Sequence, residues 1–246
     1  MTDYFAYQQS RPHQLRGRIM ADLIHRRIEA TGWDKLMSEV FISHPPVYVV
    51  EVGIGNGWLT RQYTERNYQS ARPQVTGIDT APESLALAHQ LDAIAMIWNG
   101  PLTKFNSVTG PIPASDGVVL GEVLEHVDTP LVMLIEAYEL LRPGGWLVGS
   151  VPNSGQLWDV LKMVAGHAPH QVEAKAREPH YEHQSFFTAG LLRSLLHEVG
   201  FNRVKIYTNL VRLLPRGRET QIPLLSPFVE RFMPRFGDRL IWECEK

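Results

Sequence analysis

The chain has 246 residues, 44% of them hydrophobic, a net charge of -2 and one cysteine, Cys244. That size and composition can bury one sizeable core and leave little room for two full domains. The scattered basic residues argue against a nucleic-acid footprint, and a lone cysteine excludes an internal disulfide or a cysteine-rich metal site. Neither a signal peptide nor an apolar run of membrane-spanning length is read, so the expected location is the cytoplasm.

From Gln14 to Met37, Leu15, Ile19, Leu23, Ile24, Ile28 and Leu36 recur at near-helical spacing and predict one or two helices, an N-terminal cap over residues 1–40. Arg11, Arg16, Arg18, Arg26 and Arg27, interrupted by Asp22 and Glu29, read as a solvated helix face. Val47-Tyr-Val-Val-Glu-Val52 then reads as a strand buried on both faces of a parallel sheet. Glu51, at its carboxyl end, is placed to accept hydrogen bonds. Gly53, Gly55 and Gly57 follow at alternate positions and permit a tight turn and a ligand too close for a Cβ. A dinucleotide fingerprint needs its third glycine where Trp58 stands, which disfavours a nicotinamide cofactor. Gln74-Val-Thr-Gly-Ile-Asp79 is a second strand ending in a carboxylate, and the helix after it starts at Pro82.

Ala93 to Trp98 forms the third strand and Asp116 to Gly121 the fourth, with a helix from Pro130 to Leu141. Arg142-Pro-Gly-Gly145 makes the turn into a fifth strand, Trp146 to Val151. A helix from Ala189 to Val199 ends at Gly200, and Arg203 to Tyr207 and Arg239 to Cys244 supply the last two strands.

The run Glu51-x-Gly53-x-Gly55-x-Gly57, with Asp79 closing the next strand, resembles motif I of the class I S-adenosylmethionine-dependent methyltransferases. The likeness runs from about Tyr48 to Phe201 and includes the stretch LRPGGWLVGSVPN. It implies an α/β fold: a Rossmann-like seven-stranded, mostly parallel sheet with helices on both faces and an antiparallel last strand. In that family the glycine loop passes beside the methionine part of the cofactor and the second acidic residue binds the ribose hydroxyls. Glu51, Gly53, Gly55, Gly57, Asp79, Thr80, Asn99 and Gly121 are the cofactor-binding candidates so implied. Asn99-Gly100 stands where the family often has Gly-Asp, which leaves the adenine contact open. The methyltransferase domain would occupy residues 41–246.

Two segments exceed the minimal fold. Residues at about 152–181 hold an amphipathic helix, Leu157 to Val164, and a histidine-containing loop including His167 and His170, the expected lid over an acceptor. Residues at about 211–237 carry Pro215, Pro223, Pro227 and Pro234 and read as a packed arm, a homodimer contact or a peripheral membrane-surface element.

Gly121-Glu-Val-Leu-Glu-His-Val127 resembles the loop after strand four of the ubiquinone-biosynthesis O-methyltransferases. In helical geometry Glu122, Glu125 and His126 would share one face, an oxygen-oxygen-nitrogen set suited to a divalent metal. His183, or His180 in its place, would be the fourth ligand, since this segment is similar to one in small-RNA 3′-end 2′-O-methyltransferases. A plainer reading keeps the motif metal-free, with Glu125, His126 and His183 catalytic or acceptor-binding and His126 the general base. The expectation is methyl transfer from S-adenosylmethionine to a small molecule, most readily at a hydroxyl oxygen. An RNA-terminal 2′-O-methyltransferase and a catalytically silent S-adenosylmethionine-binding regulatory subunit are the alternatives.

Overall fold

The computed structural model describes residues 10–38, 46–81, 94–97, 114–179, 182–209 and 234–246. The expected helix beginning at Pro82, Asn99, His180 and most of the proline-containing segment lie outside the described residues.

The elements in chain order are α1 (Arg11–Ser38), β1 (Val47–Val52), α2 (Trp58–Thr64), β2 (Pro73–Asp79), β3 (Ile94–Ile97), β4 (Ser115–Gly121), α3 (Pro130–Leu140), β5 (Leu141–Pro152), α4 (Leu157–Val164), α5 (His170–Arg177), α6 (Ala189–Val199), β6 (Asn202–Thr208) and β7 (Arg239–Glu245). Strands lie in the order β3-β2-β1-β4-β5-β7-β6, with β7 antiparallel to both neighbours and the other pairs parallel. Order reverses between β1 and β4, so their carboxyl ends open the crevice in which such sheets place their ligands.

Strand alternation sorts the core into two layers. Val47 and Val49 face α1 and α2, packing with Met20, Leu23, Ile24, Ile28, Leu59 and Tyr63. Val50, Val52, Val118 and Leu120 face the other way, against Leu134, Ala137 and Leu140 of α3 and Leu192 and Leu196 of α6. Glycines admit the indole rings between layers: a Cβ on Gly117 would fall 2.2 Å from Trp146, and one on Gly149 would fall 2.2 Å from Trp242.

Two expectations need correction. The arginines of α1 are not one solvated face. Arg16 is buried, and Arg27 is paired with Glu243 and Glu245 of β7. Both fall on the stripe defined by Met20, Leu23 and Ile24, which is the stripe that packs on the sheet. The fifth strand also begins earlier, at Leu141, so Pro-Gly-Gly lies within it as an irregularity in the register, between the pairs Ser115↔Leu141 and Gly117↔Trp146. Asp116 steadies that corner by accepting from the Tyr48 amide and from Arg142.

Among the described residues no helix is long and apolar enough to cross a membrane. Substituting Gly149→Val should lower stability by about 1–3 kcal/mol, because the new side chain must displace an indole held between sheet and helix. Urea unfolding followed by tryptophan fluorescence checks this, with the midpoint moving and the slope unchanged.

Candidate functional site

The loop after β1 closes on the end of β2. Gly53, Gly55 and Gly57 have φ of 69°, 55° and 73°, all in the left-handed region that favours glycine. The amides of Gly53 and Ile54 donate to the Ile78 carbonyl, and that of Gly55 donates to Asp79 Oδ2 at 2.8 Å. Asp79 Oδ1 accepts from the Ala81 amide at 2.9 Å, leaving other lone pairs on both oxygens available to a ligand. A Cβ on Gly53 would lie 2.7 Å from Val123 Cγ2, so this loop touches the one after β4. Thr80 is exposed at the same rim, and Gly121 ends β4 beneath it.

Glu51 is turned elsewhere. Its Oε2 accepts from Thr60 at 2.8 Å and from Tyr63 at 2.6 Å, pinning α2 to β1. Burial outweighs those hydrogen bonds and raises its carboxyl to about 7.

The loop after β4 departs from the expected helical geometry. Glu122 has φ 59°, a left-handed conformation unusual for a side chain of its size, and its amide donates to the Ser150 carbonyl. Its side chain therefore separates from that of Glu125. Arg239 Nε lies 3.0 Å from Glu122 Oε2, Arg16 Nη1 lies 3.5 Å from Oε1, and Ser150 Oγ donates to Oε1 at 3.1 Å. Burial opposes ionisation, but Arg239 and then Arg16 outweigh it and bring the carboxyl down to about 2. Glu122 thus serves as an internal counter-ion, and its expected place among the metal ligands is corrected. His13, pushed down to about 3 by burial and then by Arg16, accepts from Arg16 at 3.2 Å and stacks on Trp58.

Glu125, His126 and His183 do come together, with one donor atom from each within 4.8 Å of the others. Glu125 is 1% exposed, and among the described residues neither carboxylate oxygen has a hydrogen-bond partner. Burial, then the charge on Glu122, holds its carboxyl well above the usual carboxylate range. The His126 and His183 rings meet edge to face, centroids 4.9 Å apart. His183 is lowered to about 4 by burial and then by His126, so it is a neutral imidazole at neutral pH. The amides of Gln184 and Ser185 clamp the group by donating to the Glu125 carbonyl at 2.7 and 3.1 Å.

A family described as "Methyltransferase domain" matches residues 12–206. The chain belongs to that family. It is similar to the ubiquinone biosynthesis O-methyltransferase of Burkholderia pseudomallei, 27% identical over 188 residues that cover 74% of this chain and 77% of that protein. A "possible histamine N-methyltransferase" from Thermotoga maritima shares the fold at a TM-score of 0.56 and 18% identity, over 91% of this chain and 92% of that one. The plantazolicin methyltransferase solved with S-adenosylhomocysteine does so at 0.59 and 14%, over 99% and 89%. This methyltransferase uses S-adenosylmethionine, and the left-handed glycine cradle fits such a cofactor. Sequence reasoning missed Arg16, Arg239 and Ser150. Arg16 sits on the apolar stripe of α1, which was the available signal, whereas Arg239 and Ser150 meet Glu122 only through strand pairing.

Glu51 gives the fold a pH signature. Its folded carboxyl stands near 7 against an ordinary value of 4.5, so the folded state holds a proton that the unfolded chain releases. That contribution is complete below 4.5 and is lost as pH rises through about 7. Glu51→Gln should remove this part of the decline, seen as a flatter urea midpoint between pH 4.5 and about 7 than in the unsubstituted protein.

Proposed function

We propose that this methyltransferase moves the methyl group of S-adenosylmethionine to a hydroxyl oxygen of a small molecule held at Glu125, His126 and His183. The observation that carries the reading is Glu125: a buried carboxyl whose oxygens have no hydrogen-bond partner among the described residues, beside two imidazoles, is a costly arrangement unless a polar ligand completes it. Likeness to a ubiquinone biosynthesis O-methyltransferase supports oxygen as the acceptor atom.

The glycine loop would hold the methionine part of the cofactor, and Asp79 would take the ribose hydroxyls on the lone pairs that Gly55 and Ala81 leave open. When bound, S-adenosylmethionine supplies a methyl carbon that is already electrophilic. The protein's task is then to orient the acceptor and exclude water. Glu125 donates a hydrogen bond to one acceptor oxygen while the imidazoles of His126 and His183 face the neighbouring hydroxyl and receive its hydrogen, so a molecule with adjacent hydroxyls suits the group.

A second reading places a divalent cation there, favoured by the same orphaned carboxyl. One oxygen and two imidazole nitrogens suit a small divalent ion, and Glu125 would ionise on binding it. Residues 180 and 181 lie outside the described residues, so His180 contributes nothing to either reading.

Calorimetry with S-adenosylhomocysteine and a turnover assay on catechols, phenols and amines test the proposal. Binding should be seen, with turnover on the hydroxyl compounds. Glu125→Gln should leave cofactor affinity intact and lower kcat/KM by about tenfold or more, the effect of losing a buried hydrogen bond of roughly 1–3 kcal/mol. Cofactor binding with no turnover on any acceptor would instead make this a silent cofactor-binding protein. Activity abolished by chelation and restored by Mg²⁺ or Mn²⁺ would select the cation reading.

A further inference from the structure

His170 opens α5 and faces Asp159 in the first turn of α4. Asp159 is 0% exposed, and its carboxylate gathers three donors. The His170 amide donates to Oδ1 at 3.0 Å, His170 Nδ1 to Oδ2 at 2.6 Å and Gln156 Nε2 to Oδ2 at 2.8 Å. A carboxylate accepting at Nδ1 fixes the tautomer: the proton sits on Nδ1 and the lone pair on Nε2. Nε2 makes no hydrogen bond among the described residues, and the side chain is 23% exposed.

Hydrogen bonds tie the helix that carries this dyad to the segment that clamps Glu125. Gln171, the next residue, accepts at 3.1 Å from Ser154, whose amide donates to the Phe187 carbonyl. Lys175, one turn on, donates to the carbonyl and side chain of Gln184, which is bonded through its amide to Glu125. Among the described residues His126 makes no hydrogen bond to a carboxylate, its Nε2 lying 4.0 Å from Glu125 Oε1. Hydrogen bonding to a buried carboxylate both aims an imidazole and stabilises the imidazolium it becomes.

Building on the hydroxyl reading above, we infer that His170 is the general base of the transfer and Asp159 its positioning residue. The acceptor's O–H bond breaks with its proton passing to His170 Nε2, while the oxygen's electron pair forms the new O–CH₃ bond. The S–CH₃ bond breaks with its electrons remaining on sulfur, leaving a neutral thioether. Ionised Asp159 stabilises the cationic ring, which then releases its proton to water. Across the hairpin Lys162 and Glu173 pair with each other at 2.6 Å, and the charged group in direct contact with His170 among the described residues is Asp159.

A dyad that merely latches α4 to α5 predicts something different from a base, and His170→Asn separates the two. The amide can still donate to Asp159 and keep the latch, but it carries no basic nitrogen. With 3,4-dihydroxybenzoate as acceptor, His170→Asn should keep the melting temperature and S-adenosylhomocysteine affinity and lose on the order of 100-fold in kcat. His170→Ala should regain turnover on adding imidazole. By ¹⁵N NMR, His170 should show the Nδ1-protonated tautomer, with Nε2 shifting when 3,4-dihydroxybenzoate is added to the cofactor-loaded protein. Turnover of His170→Asn within twofold of the unsubstituted enzyme, or an Nε2 signal indifferent to the catechol, overturns the inference and leaves the hydroxyl reading standing. An unsubstituted enzyme that methylates amines and no hydroxyl compound overturns both.

Discussion

The buried carboxylate of Glu122 between Arg16 and Arg239 is the contact on which the upper half of the molecule depends. It joins the start of α1, the loop after β4, Ser150 of β5 and the first residue of β7, four elements far apart in the chain. Desolvating these charges is expensive, and the cost is offset only while all of them are present. Removing one partner from such a cluster costs about 3–5 kcal/mol. The left-handed backbone of Glu122, itself a strain of order 1–3 kcal/mol, persists because the surrounding pairs hold it.

That strain has a chemical result. By turning Glu122 away, it leaves two glutamates three residues apart shifted in opposite directions: Glu122 brought down by two guanidiniums, Glu125 pushed up by burial and then by the negative charge of Glu122 itself. Environments that separate the behaviour of neighbouring acids in this way mark where proton chemistry is done. The same logic distinguishes the histidines. His13 and His183 are kept neutral by burial first, while His170 is aimed by a carboxylate.

The sheet was legible because each strand carries its own cause. Val47 to Val52 has the unbroken apolar character of a strand covered on both faces, and the glycines after it sit at positive φ, which other residues rarely adopt. What escaped was anything settled by packing partners. Arg16 looked like a surface arginine until the stripe it shares with Met20 and Leu23 was seen to face the sheet. Glu122 and Arg239 are separated by more than a hundred residues, and only the pairing of β7 with β5 brings them to one place. Helical spacing for Glu122, Glu125 and His126 failed because Glu122 extends the sheet through its bond to Ser150, and only the residues after Val123 begin to turn.

On the proposed reading, acceptor choice belongs to the residues packed above the sheet rather than to the sheet itself. The strands meet through backbone bonds that many sequences could make, and solved proteins at 14–18% identity share the fold. By contrast Glu125 is clamped by the amides of Gln184 and Ser185, these lead to Phe187, and Phe187 bridges to Asn153 and Ser154 at the root of the α4–α5 hairpin. The hairpin thus reaches the backbone of Glu125 through the Ser154–Phe187 hydrogen bond, the short run of chain from Phe187 back to Gln184, and the two amides that donate to the Glu125 carbonyl. On the proposed reading the crevice at the ends of β1 and β2 holds the cofactor and the residues around Glu125 and the α4–α5 hairpin hold the acceptor, so substitutions in the hairpin would alter which molecule is methylated before they alter whether the donor binds.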